Sequence, residues 1–159
     1  GLESREPGVL GYILDSSNIY CGIIPDGLHV HYSSISIAKK LLGDKLYMVT
    51  DAASPAGTNM TEFMFEGNLV YHKDGKCVDA NGTLGGSALV MIDGVKNLIQ
   101  GARFSYEEAL KMATSYPAKA IQVDSRYGHI KPGYIADLTY FDENFKVKGT
   151  ISKGILERY

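Results

Sequence analysis

Apolar positions recur along the chain with two different periods. After the polar opening Glu3-Ser4-Arg5-Glu6-Pro7-Gly8, the residues Val9, Leu10, Tyr12, Ile13 and Leu14 fit one face of a short helix, which residues 15–18 end. Residues 19–24 form a nearly continuous apolar run, as expected for a strand buried on both faces of a parallel sheet. Residues 26–31 are its exit loop. Ser33 or Ser34 can cap a helix carrying Ile35, Ile37, Ala38, Leu41 and Leu42, which stops at Gly43, and residues 46–50 are the next buried strand. Strand, loop, helix and strand within about thirty residues make a βαβ unit. The polar groups after its two strands, His29, His31 and Asp51, are therefore expected at one rim of the sheet.

From residue 61 to 79 the pattern breaks into short runs around Gly67-Asn68 and Asp74-Gly75, which predicts a β-meander over 62–66, 69–72 and 76–78, inserted in an α/β frame. Thr83-Leu84-Gly85-Gly86-Ser87 reads as a loop opening a helix, with Ala88, Leu89, Met91, Ile92, Val95, Leu98 and Ile99 at helical spacing. Ser105 and Glu108 have capping-box spacing at the head of a helix running to about Tyr116. Pro117 can start a further short helix. Residues 135–141 and 145–151 return to β-type alternation about the turn at Glu143-Asn144.

At 159 residues the chain can hold one real core but falls short of two ordinary domains. Apolar residues at 45%, charged residues at 21% and a net charge of -2 mark a globular class, with no electrostatic footprint for nucleic acid or an anionic membrane. Cys21 and Cys77 lack metal-site spacing and are expected as reduced thiols, a single bridge between them being the alternative. No run approaches the roughly 20 apolar residues of a membrane-spanning helix. The opening residues lack the parts of a signal peptide, so a cytoplasmic protein is expected.

Asp51, an acid ending an apolar strand, stands where parallel α/β folds put reacting groups; it could equally cap the following turn. His29-Val30-His31 would direct two imidazoles the same way if extended and could share a metal ion, although loop histidines without a ligand are commoner. Gly85-Gly86-Ser87 at a helix start could offer free N–H groups to an anion or a sugar oxygen, or be an ordinary capped loop. Arg5 could hold a phosphate, or be merely solvated.

The segments Arg5-Glu6-Pro7-Gly8, Cys21-Gly22-Ile23-Ile24-Pro25-Asp26-Gly27-Leu28-His29-Val30, Val49-Thr50-Asp51-Ala52 and Asn81-Gly82-Thr83-Leu84-Gly85-Gly86-Ser87 occur in that order. Together they closely resemble the C-terminal portion of the N-acetylglucosamine-6-phosphate deacetylases. Ala113-Thr114-Ser115-Tyr116-Pro117-Ala118 and the segment from Gly128-His129-Ile130-Lys131-Pro132-Gly133 to Leu138 look like closing signatures of the wider amidohydrolase superfamily.

The resemblance implies an α/β fold: the C-terminal part of a metal-dependent (β/α)8 TIM barrel with a small β-sandwich. Because a whole barrel takes about 250 residues, residues 1–134 are expected to supply its last strands and helices, with the meander 61–79 inserted. Residues 135–159 would be C-terminal sandwich strands. By the same resemblance Asp51 matches the catalytic aspartate, which takes a proton from the attacking water and delivers one to the departing amine. His29 matches a substrate-binding histidine. Arg5 matches the arginine on the sugar phosphate, reaching across a subunit interface, and Leu84, Gly85 and Gly86 match a ligand-contacting loop, Gly85 standing where a serine is frequent.

The family's metal ligands, a glutamate and two histidines, belong to earlier strands and have no counterpart here. Zinc or a similar divalent metal is thus expected in the complete enzyme and none bound by this chain, and His31 is not read as a ligand. The expected activity is hydrolysis of N-acetylglucosamine 6-phosphate to glucosamine 6-phosphate and acetate, in amino-sugar catabolism, with the isolated chain inactive. A different N-acyl sugar or a cyclic amide as substrate, or a non-catalytic sugar-phosphate-binding or assembly role, are the alternatives. A homodimer or other self-association is expected, with no nucleic-acid or membrane partner.

Overall fold

A computed structural model describes residues 1–159. The chain begins with α1 (Gly8–Asp15), β1 (Cys21–Ile23), α2 (Tyr32–Leu42) and β2 (Leu46–Met48). β1 and β2 pair in parallel, Cys21 opposite Leu46 and Ile23 opposite Met48, so the expected βαβ unit forms. Its strands are shorter than their apolar runs, and β1 is not buried on both faces: Gly22 is exposed and its neighbours half-buried. β1 has β2 as its single partner strand.

α2 starts differently from the prediction. His31, not Ser33 or Ser34, is the N-cap, its Nδ1 accepting from the Ser33 N–H at 3.2 Å. Gly43 ends the helix with φ 57°, a conformation glycine adopts at no steric cost. The inward stripe Ile35, Ala38 and Leu42 is buried, whereas Ile37 and Leu41 are more than half exposed.

The meander forms as β3 (Glu62–Phe65), β4 (Asn68–Lys73) and β5 (Lys76–Val78), and it gains a fourth strand, β6 (Leu84–Ser87). The glycine-rich segment is therefore not a helix start. The next helix, α3 (Met91–Gln100), begins after Val90, leaving Ala88 and Leu89 outside it. Phe63, Val70 and Cys77 close a small core inside the meander.

α4 (Tyr106–Ala113) opens on Ser105, whose hydroxyl accepts from the Glu108 N–H at 3.2 Å. It stops at Ala113 rather than near Tyr116, because Thr114 leaves helical conformation before α5 (Ser115–Ala120). Only half of the capping box forms: the Glu108 carboxylate turns to Lys39 and to the Tyr116 hydroxyl instead. A three-stranded antiparallel sheet, β7 (Leu138–Phe141), β8 (Val147–Ser152) and β9 (Ile155–Arg158), ends the chain, the last strand returning through a turn at Lys153-Gly154.

The main core joins these layers. Ile35 and Leu42 of α2, Leu46 and Met48 of β2, Leu98 of α3, Met112 of α4 and Phe145 form one buried cluster. Each side chain so buried contributes about 1.5–3 kcal/mol. Gly94 lets α3 approach the sheet: a Cβ there would lie 2.7 Å from the Met48 Cε. No helix is long and apolar enough to cross a membrane.

Candidate functional site

The two loops that leave the C-terminal ends of β1 and β2 hold the candidate residues His29, His31 and Asp51. Ladder pairing continues one step past the strands, with the Val49 N–H donating to the Ile23 carbonyl at 2.9 Å. Asp51 follows at φ 51°, a left-handed conformation that aspartate tolerates better than bulkier residues but that still costs of order 1 kcal/mol.

Ser87 of β6 holds it there. The side chain of Ser87 is fully buried, its hydroxyl donating to the Thr50 carbonyl at 2.5 Å and accepting from the Leu89 N–H at 3.0 Å. Its backbone N–H donates to the Asp51 carbonyl at 2.8 Å and its carbonyl accepts from the Ala53 N–H at 2.7 Å. Gly86, at φ +83°, fits because a Cβ there would come 3.2 Å from the Asp51 carbonyl oxygen. Asp51 is exposed and takes part in none of the chain's ion pairs. Its carboxylate is thus open to solvent.

On the neighbouring loop His29 is tied to Asp26, Nδ1 to Oδ2 at 2.5 Å. The other carboxylate oxygen of Asp26 accepts from the Leu28 and His29 N–H groups at 2.9 and 2.8 Å, an Asx-turn. Burial pushes the Asp26 carboxyl up, and the bonds from the His29 ring and the two N–H groups outweigh it, leaving the group below its ordinary value. Residues 26–30 bend rather than extend, so the two imidazoles of His29 and His31 do not act as a pair: one ring binds Asp26 and the other caps α2. No three of the chain's His, Cys, Asp and Glu side chains gather in a way that could hold a metal ion.

The remaining candidates divide. β6 brings Gly86 against Asp51, with Gly85 half-buried and Leu84 exposed beside it in the strand. The N–H groups expected to be free at a helix start are partly spent on the sheet, that of Ser87 on Asp51. Arg5 lies before α1, exposed and without an ion pair, and nothing within the chain ties it to the other candidates. Asp26 and Ser87 hold the two loops, yet in the sequence they were only members of loop motifs. The Asp-x-x-His spacing across Gly27 is the signal that could have singled out Asp26.

A mixed α/β unit with an exposed acid after a parallel strand is a scaffold that hosts many chemistries, and comparison with known proteins decides its class. The Amidohydrolase family model matches residues 5–156, and the chain belongs to that family. Among its relatives, the N-acetylglucosamine-6-phosphate deacetylase of Haemophilus influenzae is 42% identical over 154 residues, covering 96% of this chain and 40% of its own length. An N-acetylgalactosamine-6-phosphate deacetylase from a Shewanella strain is 40% identical over 147 residues, 92% of this chain and 37% of its own. The crystal structure of N-acetylglucosamine-6-phosphate deacetylase from Pasteurella multocida superposes with a TM-score of 0.95 at 50% identity, over 99% of this chain and 41% of that one. The chain thus spans about two fifths of the length of these two deacetylases, whereas it spans 95% of a putative N-acetylgalactosamine-6-phosphate deacetylase of Escherichia coli to which it is 30% identical.

Proposed function

We propose that the chain is the C-terminal portion of a cytoplasmic enzyme that hydrolyses N-acetylglucosamine 6-phosphate to glucosamine 6-phosphate and acetate. In this reading residues 1–134 are the last βα units of a (β/α)8 barrel carrying the meander 61–79, and residues 135–159 are strands of a small β-sandwich. The observation that carries it is Asp51: an unpaired carboxylate at the C-terminal end of a parallel strand, locked by Ser87, in a chain 42% identical to one such deacetylase. The N-acetylgalactosamine analogue is the second reading, favoured by the 40% identity to the Shewanella relative.

Asp51 accepts a proton from the water that attacks the acetamide carbon and returns one to the departing amine, a role for which general acid–base groups supply about 10²–10⁴-fold. His29 binds the sugar, Leu84, Gly85 and Gly86 line its seat, and the guanidinium of Arg5 takes the 6-phosphate of a second copy through its fork of donors. Amidohydrolases are generally metal-dependent, but the donors of this chain do not fit a complete metal site, having no cluster of three ligating side chains. The divalent metal's ligands then come from residues outside these, and the isolated chain gives no turnover.

A hybrid tests the reading: the matching C-terminal two fifths of the Haemophilus influenzae relative is replaced by this chain, and acetate release is measured. Release from N-acetylglucosamine 6-phosphate, reduced at least a hundredfold by Asp51→Asn, is the expected result. A folded, metal-loaded hybrid that releases no acetate overturns the reading, and preference for the galacto epimer selects the second one. Turnover by the isolated chain with zinc, abolished in Asp51→Asn, overturns the assignment of metal ligands elsewhere.

A further inference from the structure

Asp26 divides its two oxygens between different tasks. Oδ1 accepts two backbone N–H groups and fixes the loop, while Oδ2 meets His29 Nδ1 at 2.5 Å. The Asp26 side chain is 7% exposed and that of His29 14%, so the pair is shielded from competing water. An ionised carboxylate only accepts hydrogen bonds, and the imidazole nitrogen facing it must therefore carry the proton. Neutral His29 is then protonated on Nδ1 and has its lone pair on Nε2. Nε2 has no partner within the chain, yet no buried side-chain nitrogen or oxygen lacks one, so Nε2 reaches the surface of the loop.

We propose that Asp26 is a positioning residue that holds His29 in the Nδ1–H form, so that Nε2 accepts a hydrogen bond from a hydroxyl of the bound amino sugar. The inference rests on the proposed function for the identity of the ligand and on the Asp26–His29 geometry alone for the tautomer. A neutral Nε2 acceptor selects a donor group: it favours a sugar hydroxyl over a phosphate oxygen or a carbonyl, neither of which has a proton to give. His31 serves as an internal contrast. Its Nδ1 accepts from the Ser33 N–H, so its neutral ring carries the proton on Nε2.

The full chain labelled with ¹⁵N tests this, because its four histidines give few ring signals to assign. Long-range ¹H–¹⁵N spectra are recorded along an alkaline pH series, and the tautomer is read once the ring signals no longer change with pH. His29 should show a protonated Nδ1 and an unprotonated Nε2, and His31 the reverse. Asp26→Asn keeps an oxygen for the two backbone N–H groups but turns an N–H donor toward the ring, so the His29 pattern should invert while the amide spectrum stays folded. An Nε2–H form in the unaltered chain, or a pattern that survives Asp26→Asn, overturns the positioning role. N-acetylglucosamine 6-phosphate should then shift the Nε2 resonance. An Nδ1–H ring indifferent to the sugar phosphate supports the Asp26 role and overturns the hydroxyl contact, which separates this inference from the proposed function.

Discussion

Asp51 holds an unfavourable left-handed conformation, and Ser87 bonds the backbone on both sides of it. Ser87→Ala removes a buried donor–acceptor that serves Thr50 and Leu89, so urea unfolding should report a loss of about 1–3 kcal/mol. A loss below a few tenths would mean that the loop is held by its backbone bonds alone. Gly86→Ala forces a non-glycine residue to φ +83° and crowds the Asp51 carbonyl, for about 1–2 kcal/mol by the same measurement. Asp51 was legible in the sequence because an acid ending an apolar strand is a local pattern. Ser87 was not, since its hydroxyl bonds a backbone carbonyl 37 residues away, which no local pattern encodes.

Among elements, α4 joins capping to a small polar network. Ser105→Ala should cost about 1 kcal/mol in urea unfolding, the ordinary worth of an N-cap. The Glu108 carboxylate accepts from the Tyr116 hydroxyl at 3.0 Å and pairs with Lys39, whose ammonium lies 4.5 Å from the Tyr116 ring centre. Burial first, then that hydrogen bond and the charge of Glu108, push the Tyr116 phenol up to about 12. A folded-state value above the unfolded one of about 10 gives stability that is complete below pH 10 and lost as pH rises through the folded value. The unaltered chain should therefore lose stability over that window more steeply than Tyr116→Phe, and parallel curves would remove the coupling. Capping by Ser105 was readable from spacing, whereas its partner Glu108 left the box because Lys39 and Tyr116, from other elements, offered a stronger pairing. The segment 84–90 misled for a related reason. Its glycines suit a helix start and an irregular strand alike, and only the meander edge at Lys76–Val78 decides for the strand.

The apolar period predicts α2 and β2 without stating what lies on their far sides. α2 buries Ile35 and Leu42 inward yet exposes Ile37 at 55% and Leu41 at 58%, and a helix apolar on two sides is one that packs on two sides. A parallel pair of strands likewise belongs to a larger sheet, because parallel sheets are normally covered on both faces, and here both outer edges of β1–β2 are unpaired. This is the physical ground for expecting self-association, and it can be measured by sedimentation across a concentration series. The unaltered chain should grow in mass with concentration. Ile37→Glu with Leu41→Glu, which places charge on the outer face without touching the core, should shift it toward monomer while leaving thermal unfolding within about 1 kcal/mol, as surface changes generally do. A chain that stays monomeric throughout would mean that the outer face of α2 tolerates water. A double variant that still associates would move the contact to the strand edges, where backbone pairing, not apolar area, does the joining.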